Sequence, residues 1–266
     1  MGILNVTPDS FFDGGRYLEP DTARERLAQI GRDGAAICDV GAESSRPGAT
    51  PVPEGEELRR LGPVFEAMRN GVHPPVSIDT TKARVAAAAL DAGAVLVNDI
   101  TAGRGDGSML AVVAERRAAF CVMHMLGRPE TMQSGPRYGD VVSEVVDFLA
   151  ERAEAALAAG IAGERLLVDP GIGFGKTLAH NLRLLRELYR VVALGFPVVV
   201  GVSRKSMFGE LLGRAPQDRL GGSIGAAMRA VAEGASVIRA HDVAPTVDAL
   251  RAWCAIGRAE QGVRSE

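Results

Sequence analysis

The residues able to do chemistry in this chain share one feature: each stands at the carboxyl end of a short apolar run. In order they are Asn5, Asp39, Asp79, Asn98 with Asp99, His124, Asp169, Ser203 and His241. Lys205, Arg239 and His241 would place positive charge on one side of any site these ends build, and Asp79, Asn98 and Asp169 would place acceptors on the other. A ligand with a flat, amino-pyrimidinone-like edge and an anionic tail matches both halves. A lone histidine is more often structural, but His241 lies beside a strand-end arginine, which favours function.

Two loops rich in Gly, Pro, hydroxyl and acidic residues, 5–15 and 43–53, cannot pack as core. They read as lids, and the second carries an anion ligand, Arg46. Residues 7–17 and 45–53 are therefore expected to be poorly ordered without a ligand. The segment 169–177, DPGIGFGKT, resembles a phosphate-binding P-loop, but that motif needs Gly at the position held by Pro170. Its glycines instead allow a flat ligand close to the backbone. No Ser/His/Asp or Cys/His nucleophile is apparent. Of 30 basic residues only Lys82, Lys176 and Lys205 are lysine, so each invites a reason for a compact ammonium over a planar guanidinium. Lys82 opens a helix and has the weakest case.

The elements that position these groups alternate from end to end. Strands are expected at 2–6, 36–40, 76–78, 95–98, 120–123, 166–168, 198–202 and 236–239. Helical patterns lie at 22–31, 54–69, 82–92, 141–159, 178–194, 224–233 and 245–256. Strand–helix alternation allows a closed barrel or a doubly wound sheet. A barrel gathers every carboxyl end at one mouth, where barrel active sites lie, whereas an open sheet spreads them along an edge. Helix capping would explain two or three of the polar ends but not all of them. The reading is a single-domain (β/α)8 TIM barrel of the α/β class over residues 1–266, with the chain starting inside its first strand, as a shortened start would. A net charge of −3 argues against nucleic acid as a partner. No apolar run is long enough for a membrane span, and no signal peptide is visible, so a cytoplasmic enzyme is expected. Cys38, Cys121 and Cys254 show no disulfide or zinc spacing.

Seven segments, GILNVTPDSFFDGG, DVGAESSRPG, SIDT, NDI, DPGIGFGKT, GVSRKS and RAHDV, resemble those of the pterin-binding dihydropteroate synthase family, in order and over nearly the whole chain. The resemblance implies transfer of a pterin methylene from diphosphate to p-aminobenzoate, in a homodimer, with Mg2+ as cofactor and sulfonamides as inhibitors. It implies that Asp79, Asn98, Asp169 and Lys205 hold the pterin in a slot lined by Met123, Phe174 and Gly201. Arg239 would stack on the pterin and bind the diphosphate with Asn5, Ser45 and His241, next to Ala240, and Asn5 would ligate the metal. The p-aminobenzoate would sit among Phe11, Arg46, Pro47, Ser203 and Lys205. Asn5, Arg46, Lys205, Arg239 and His241 would form the catalytic set. Two positions depart from the family pattern: Ser45 replaces the usual Thr, and Phe12 the usual Ser. A pterin-binding methyltransferase of the same barrel type is the nearest rival, but it would not need the Lys205/Arg239/His241 anion set.

Overall fold

The computed structural model describes residues 1–6, 19–46, 48–71 and 73–263. Phe11, Phe12 and Pro47, and the first lid at 7–17, lie outside the described residues. Eight parallel strands form in chain order: β1 Gly2–Asn5, β2 Cys38–Gly41, β3 Val76–Asp79, β4 Leu96–Asp99, β5 Ala119–Met123, β6 Leu166–Asp169, β7 Val199–Gly201 and β8 Val237–Arg239. The first six pair consecutively, and β7 pairs with β8. Two bridges close the ring. Val168 pairs with Val198 between β6 and β7, and Gly2 pairs with Ala240 between β1 and the end of β8. The Ile3 amide donates to the Ala240 carbonyl at 3.0 Å, and the Ala240 amide to the Met1 carbonyl at 3.0 Å. The barrel is therefore closed, as expected.

The helices are α1 Pro20–Arg32, α2 Glu54–Asn70, α3 Ala83–Asp91, α4 Met109–Glu115, α5 Val141–Ala158, α6 Leu178–Arg186, α7 Tyr189–Val192, α8 Met207–Leu212, α9 Leu220–Ala232 and α10 Val243–Val263. Sequence patterning misses α4 and α8. MLAVVAE is nearly all apolar and shows no helical face, and MFGELL is too short to show a period. The single helix expected at 178–194 is two, because Glu187 leaves helical geometry at φ −108°, ψ 23°.

Side chains on a strand alternate between faces, so the register decides which residues look inward. Asp39 pairs with Ser77, Asp79 with Asn98, Asn98 with Cys121, Met123 with Asp169, and Gly201 with Arg239. Leu96, Cys121 and Val199 pack with Met1, Ala119, Leu167 and Val237 as a small cluster of their own, the barrel's interior. The alternate residues, including Val40, Ile78, Val97, Phe120, Val122, Leu166, Val168, Val200 and Ile238, join the larger core under the helices. This explains why the strands read as continuous apolar runs: both faces are covered.

The packing of α5 gives a direct test. Leu149 is wholly buried and Leu157 is 42% exposed on the same helix. Leu149→Ala should cost about 2–5 kcal/mol, whereas Leu157→Ala should cost less than about 1 kcal/mol. Equal denaturation midpoints for the two variants would contradict the orientation of α5.

Candidate active site

Arg239, the last residue of β8, reaches across the mouth to two carboxylates. Its Nε donates to Asp39 Oδ2 at 2.5 Å and its Nη2 to Asp79 Oδ2 at 2.6 Å. Asn98 Nδ2 donates to the same Asp39 oxygen at 3.1 Å. Asp39 is wholly buried, and its Oδ1 has no partner among the described residues. Asp39 is thus the anchor of this layer, although sequence reading singles it out only as a strand end. Its inward register beside Ser77 was the signal available.

Burial pushes the Asp79 carboxyl up to about 7, Arg239 opposing the rise and Asp39 adding to it. Burial works against the Arg239 guanidinium, but Asp39 and Asp79 outweigh it and hold the charge firmly. Burial also raises Asp169, although Gly171 N–H donates to its Oδ1 at 2.7 Å. Lys205 carries its ammonium 4.2 Å over the Phe174 ring, and burial lowers it to about 8. Met123 is buried with Ile100, Met125 and Met132, and Phe174 packs against them as an apolar wall. A Cβ on Gly201 would meet only Arg239 Cβ, at 4.0 Å, so the floor there is open.

Ser203 Oγ accepts from the His241 amide at 3.1 Å and lies 3.0 Å from its Nδ1. Burial first, and then Arg239 and Arg204, depress His241 to about 4. The unliganded site therefore holds a neutral His241 at pH 7, not the cation expected from sequence. Asn5 is half-buried at the end of β1, and Ala240 spends both backbone groups on barrel closure. Ser45 is half-buried and Arg46 exposed on the second lid. On that lid, Gly48 N–H donates to Pro129 O at 3.3 Å and Val52 N–H to Glu43 Oε1 at 3.3 Å.

Two strand-end groups and one lysine serve other purposes. Asp99 accepts from the Thr101 and Gly103 amides at 2.7 and 2.8 Å, which is turn chemistry. His124 packs edge-on against Phe148 and lies 2.9 Å from Lys176 Nζ. Lys82 is no plain helix opener: it donates to Glu43 and, at 2.6 Å, to the wholly buried Glu57.

Residues 1–241 match the family model described as pterin binding enzyme. The chain is 45% identical to the dihydropteroate synthase of Escherichia coli strain K12 over 266 residues, covering 100% of this chain and 94% of that one. It is similar to the structure of Xanthomonas albilineans dihydropteroate synthase with 4-aminobenzoic acid, at TM-score 0.90 and 47% identity, covering 96% and 92% of the two chains. It is also similar to Burkholderia cenocepacia dihydropteroate synthase complexed with 7,8-dihydropteroate, at TM-score 0.86 and 45% identity, covering 98% and 92%.

Lys205 carries a stability signature. Its folded value of about 8 lies below the ordinary 10.5, so burial of the cation costs stability in full below pH 8. The cost fades as pH rises to 10.5. Lys205→Met should therefore raise the melting temperature of the empty protein at pH 7, by at least roughly 2–4 °C, the effect of about 1 kcal/mol in a chain of this size. The gain should shrink by pH 10. An unchanged or lower melting temperature at pH 7 would refute the assignment of a strained, buried ammonium.

Proposed function

The chain belongs to the pterin-binding enzyme family, and from that premise we propose how its own residues perform dihydropteroate synthesis. The reaction condenses 6-hydroxymethyl-7,8-dihydropterin diphosphate with p-aminobenzoate and yields 7,8-dihydropteroate and diphosphate. The observation that carries the residue assignment is the inward ring of Asp39, Asp79, Asn98, Asp169, Lys205 and Arg239 at one barrel mouth.

Asp169, with Asn98 and Lys205, reads the hydrogen-bonding edge of the pterin, and Met123, Phe174 and Gly201 form its slot. Arg239, already held by two carboxylates, presents a fixed plane for stacking. The C–O bond from the pterin methylene to diphosphate breaks, and the aniline nitrogen forms the new C–N bond and then loses a proton. Asp79, poised near pH 7, faces the pterin as positive charge develops on it. Arg239, Ser45 and His241 receive the diphosphate. Its charge would raise the neutral His241 toward protonation and offset the influence of Arg239. Ser203, Lys205 and Arg46 border the p-aminobenzoate, a place the family resemblance alone also gives to Phe11 and Pro47, and sulfonamides compete there.

Mg2+ fits this set through Asn5. Among the described residues no three His, Cys, Asp or Glu side chains converge as a cage. An ion here would draw most of its oxygen shell from diphosphate and water, which suits Mg2+. Bound there, it would neutralise charge on the departing diphosphate. A homodimer through helices at the barrel side is supported by exposed Leu220 on α9 and by Trp253 and Ile256 on α10. A cytoplasmic setting accords with three unpaired cysteines. Among the described residues no helix is long and apolar enough to cross a membrane.

Diphosphate release should require both p-aminobenzoate and Mg2+. Asp169→Asn should weaken pterin binding by roughly 1.5–3 kcal/mol, the worth of a charged hydrogen bond, while leaving Mg2+ binding in the absence of diphosphate nearly unchanged. Equal pterin affinity in calorimetry would reduce Asp169 to a turn-capping residue.

A further inference from the structure

Lys176 is 3% exposed and spends its ammonium on its own loop and on His124. Its Nζ lies 3.0 Å from Gly171 O, 3.0 Å from Phe174 O and 2.9 Å from His124 Nδ1, with His124 O farther off at 3.5 Å. An ammonium has three protons, and three close acceptors surround this one. The loop it closes begins with Asp169 and contains Phe174, the pterin edge and the slot wall.

The rest of the loop is equally constrained. Gly173 N–H donates to Asn181 Oδ1 at 2.7 Å, and its carbonyl accepts from Gln133 Nε2 at 2.7 Å. Tyr138 Oη donates to Gly175 O at 2.8 Å. Gly171 has φ +65°, and a Cβ there would stand 1.9 Å from His124 O, so the loop lies directly on the segment after β5. Lys176 and His124 join these two segments from below. The placement of Asp169 and Phe174 thus depends on a contact that touches no substrate.

We propose that Lys176, through its bond to His124, is a positioning residue that sets the Asp169–Phe174 loop in pterin-binding geometry. The inference rests on the reading of Asp169 and Phe174 as pterin contacts. It also resolves the likeness to a P-loop: the lysine donates to loop carbonyls where a P-loop lysine would meet phosphate. Arginine cannot replace it, because a planar fork cannot direct three protons from one nitrogen at three converging acceptors.

The test compares Lys176→Met, Lys176→Arg, His124→Leu and His124→Gln with Asp169→Asn. The readouts are pterin diphosphate affinity by calorimetry, the KM for p-aminobenzoate at saturating pterin, and the melting temperature. Both Lys176 variants should bind pterin diphosphate about tenfold or more weakly, since small misplacements of binding groups are costly. The KM for p-aminobenzoate should move by less than about threefold, because Lys176 makes no hydrogen bond with any group assigned to that substrate. His124→Leu should also weaken pterin binding, and His124→Gln, which restores an acceptor, should recover most of it. A lower melting temperature with unchanged pterin affinity would overturn the proposal, leaving Lys176 a stabilising residue only. Where the Lys176 variants do not fold, the His124 pair decides, and equal affinity in Leu and Gln overturns it. Unchanged affinity in Asp169→Asn would remove the site reading and this inference with it. Weak binding in Asp169→Asn alone would remove only the inference.

Discussion

Strands of three to five residues, with side chains alternating in and out, leave a closed eight-stranded barrel room for only a few interior layers. Here the lower part is small and apolar, built on Leu96, Cys121 and Val199. The upper part is polar and has no thickness in which to dilute its charge. Asp39 and Asp79 must therefore be answered from within the same layer, and Arg239 answers both from β8. The ion network is the condition under which a polar ring can stand on so thin a core. It spans β2, β3, β4 and β8, so it also ties the last strand to the second, third and fourth across the mouth.

That network balances charge without making the site comfortable. Asp79 near 7, Lys205 near 8 and a raised Asp169 are each held against burial. Oδ1 of Asp39 accepts nothing among the described residues. Each of these groups gains when a polar, partly charged ligand replaces missing solvation, which is how a preorganised site turns strain in the empty state into binding. The apolar wall of Met123, Phe174 and Met132 contributes differently. It excludes water from one face of the slot, so the charges opposite act at lower dielectric.

The barrel was legible in the sequence because its signals are local: continuous apolar runs, amphipathic stretches between them, and polar residues at the run ends. What was not legible depended on register or on burial. Asp39 and Asp99 look alike in sequence, each an Asp closing an apolar run. Asp39 faces inward beside Ser77, while Asp99 faces outward and caps its own turn. Asn98 and Met123 face inward by the same count, and His124 does not. The charge of His241 was misjudged because its neutrality comes chiefly from burial, which the sequence does not display, with Arg239 and Arg204 lowering it further. Helix α4 escaped because a short, nearly all apolar helix carries no period.

Register also explains which cations stayed lysine. Guanidinium suits two acceptors lying side by side in a plane, which is the geometry Arg239 finds across β2 and β3. Each lysine meets something else. Lys82 sits between Glu43 and the buried Glu57, which arrive from different elements and share one nitrogen. Lys176 has three acceptors arranged around a point, and burial lowers it to about 7 with the charge of Asp169 opposing the fall. Lys205 stands over the Phe174 ring with Asp169 as its main stabilising charge. In a chain that otherwise uses arginine, the shape of the acceptor set, rather than charge, selects the exceptions. Lys176 and Lys205 meet at the Phe174 residue, one holding its carbonyl and the other its ring, so the loop that forms the slot is fixed from below and charged from above.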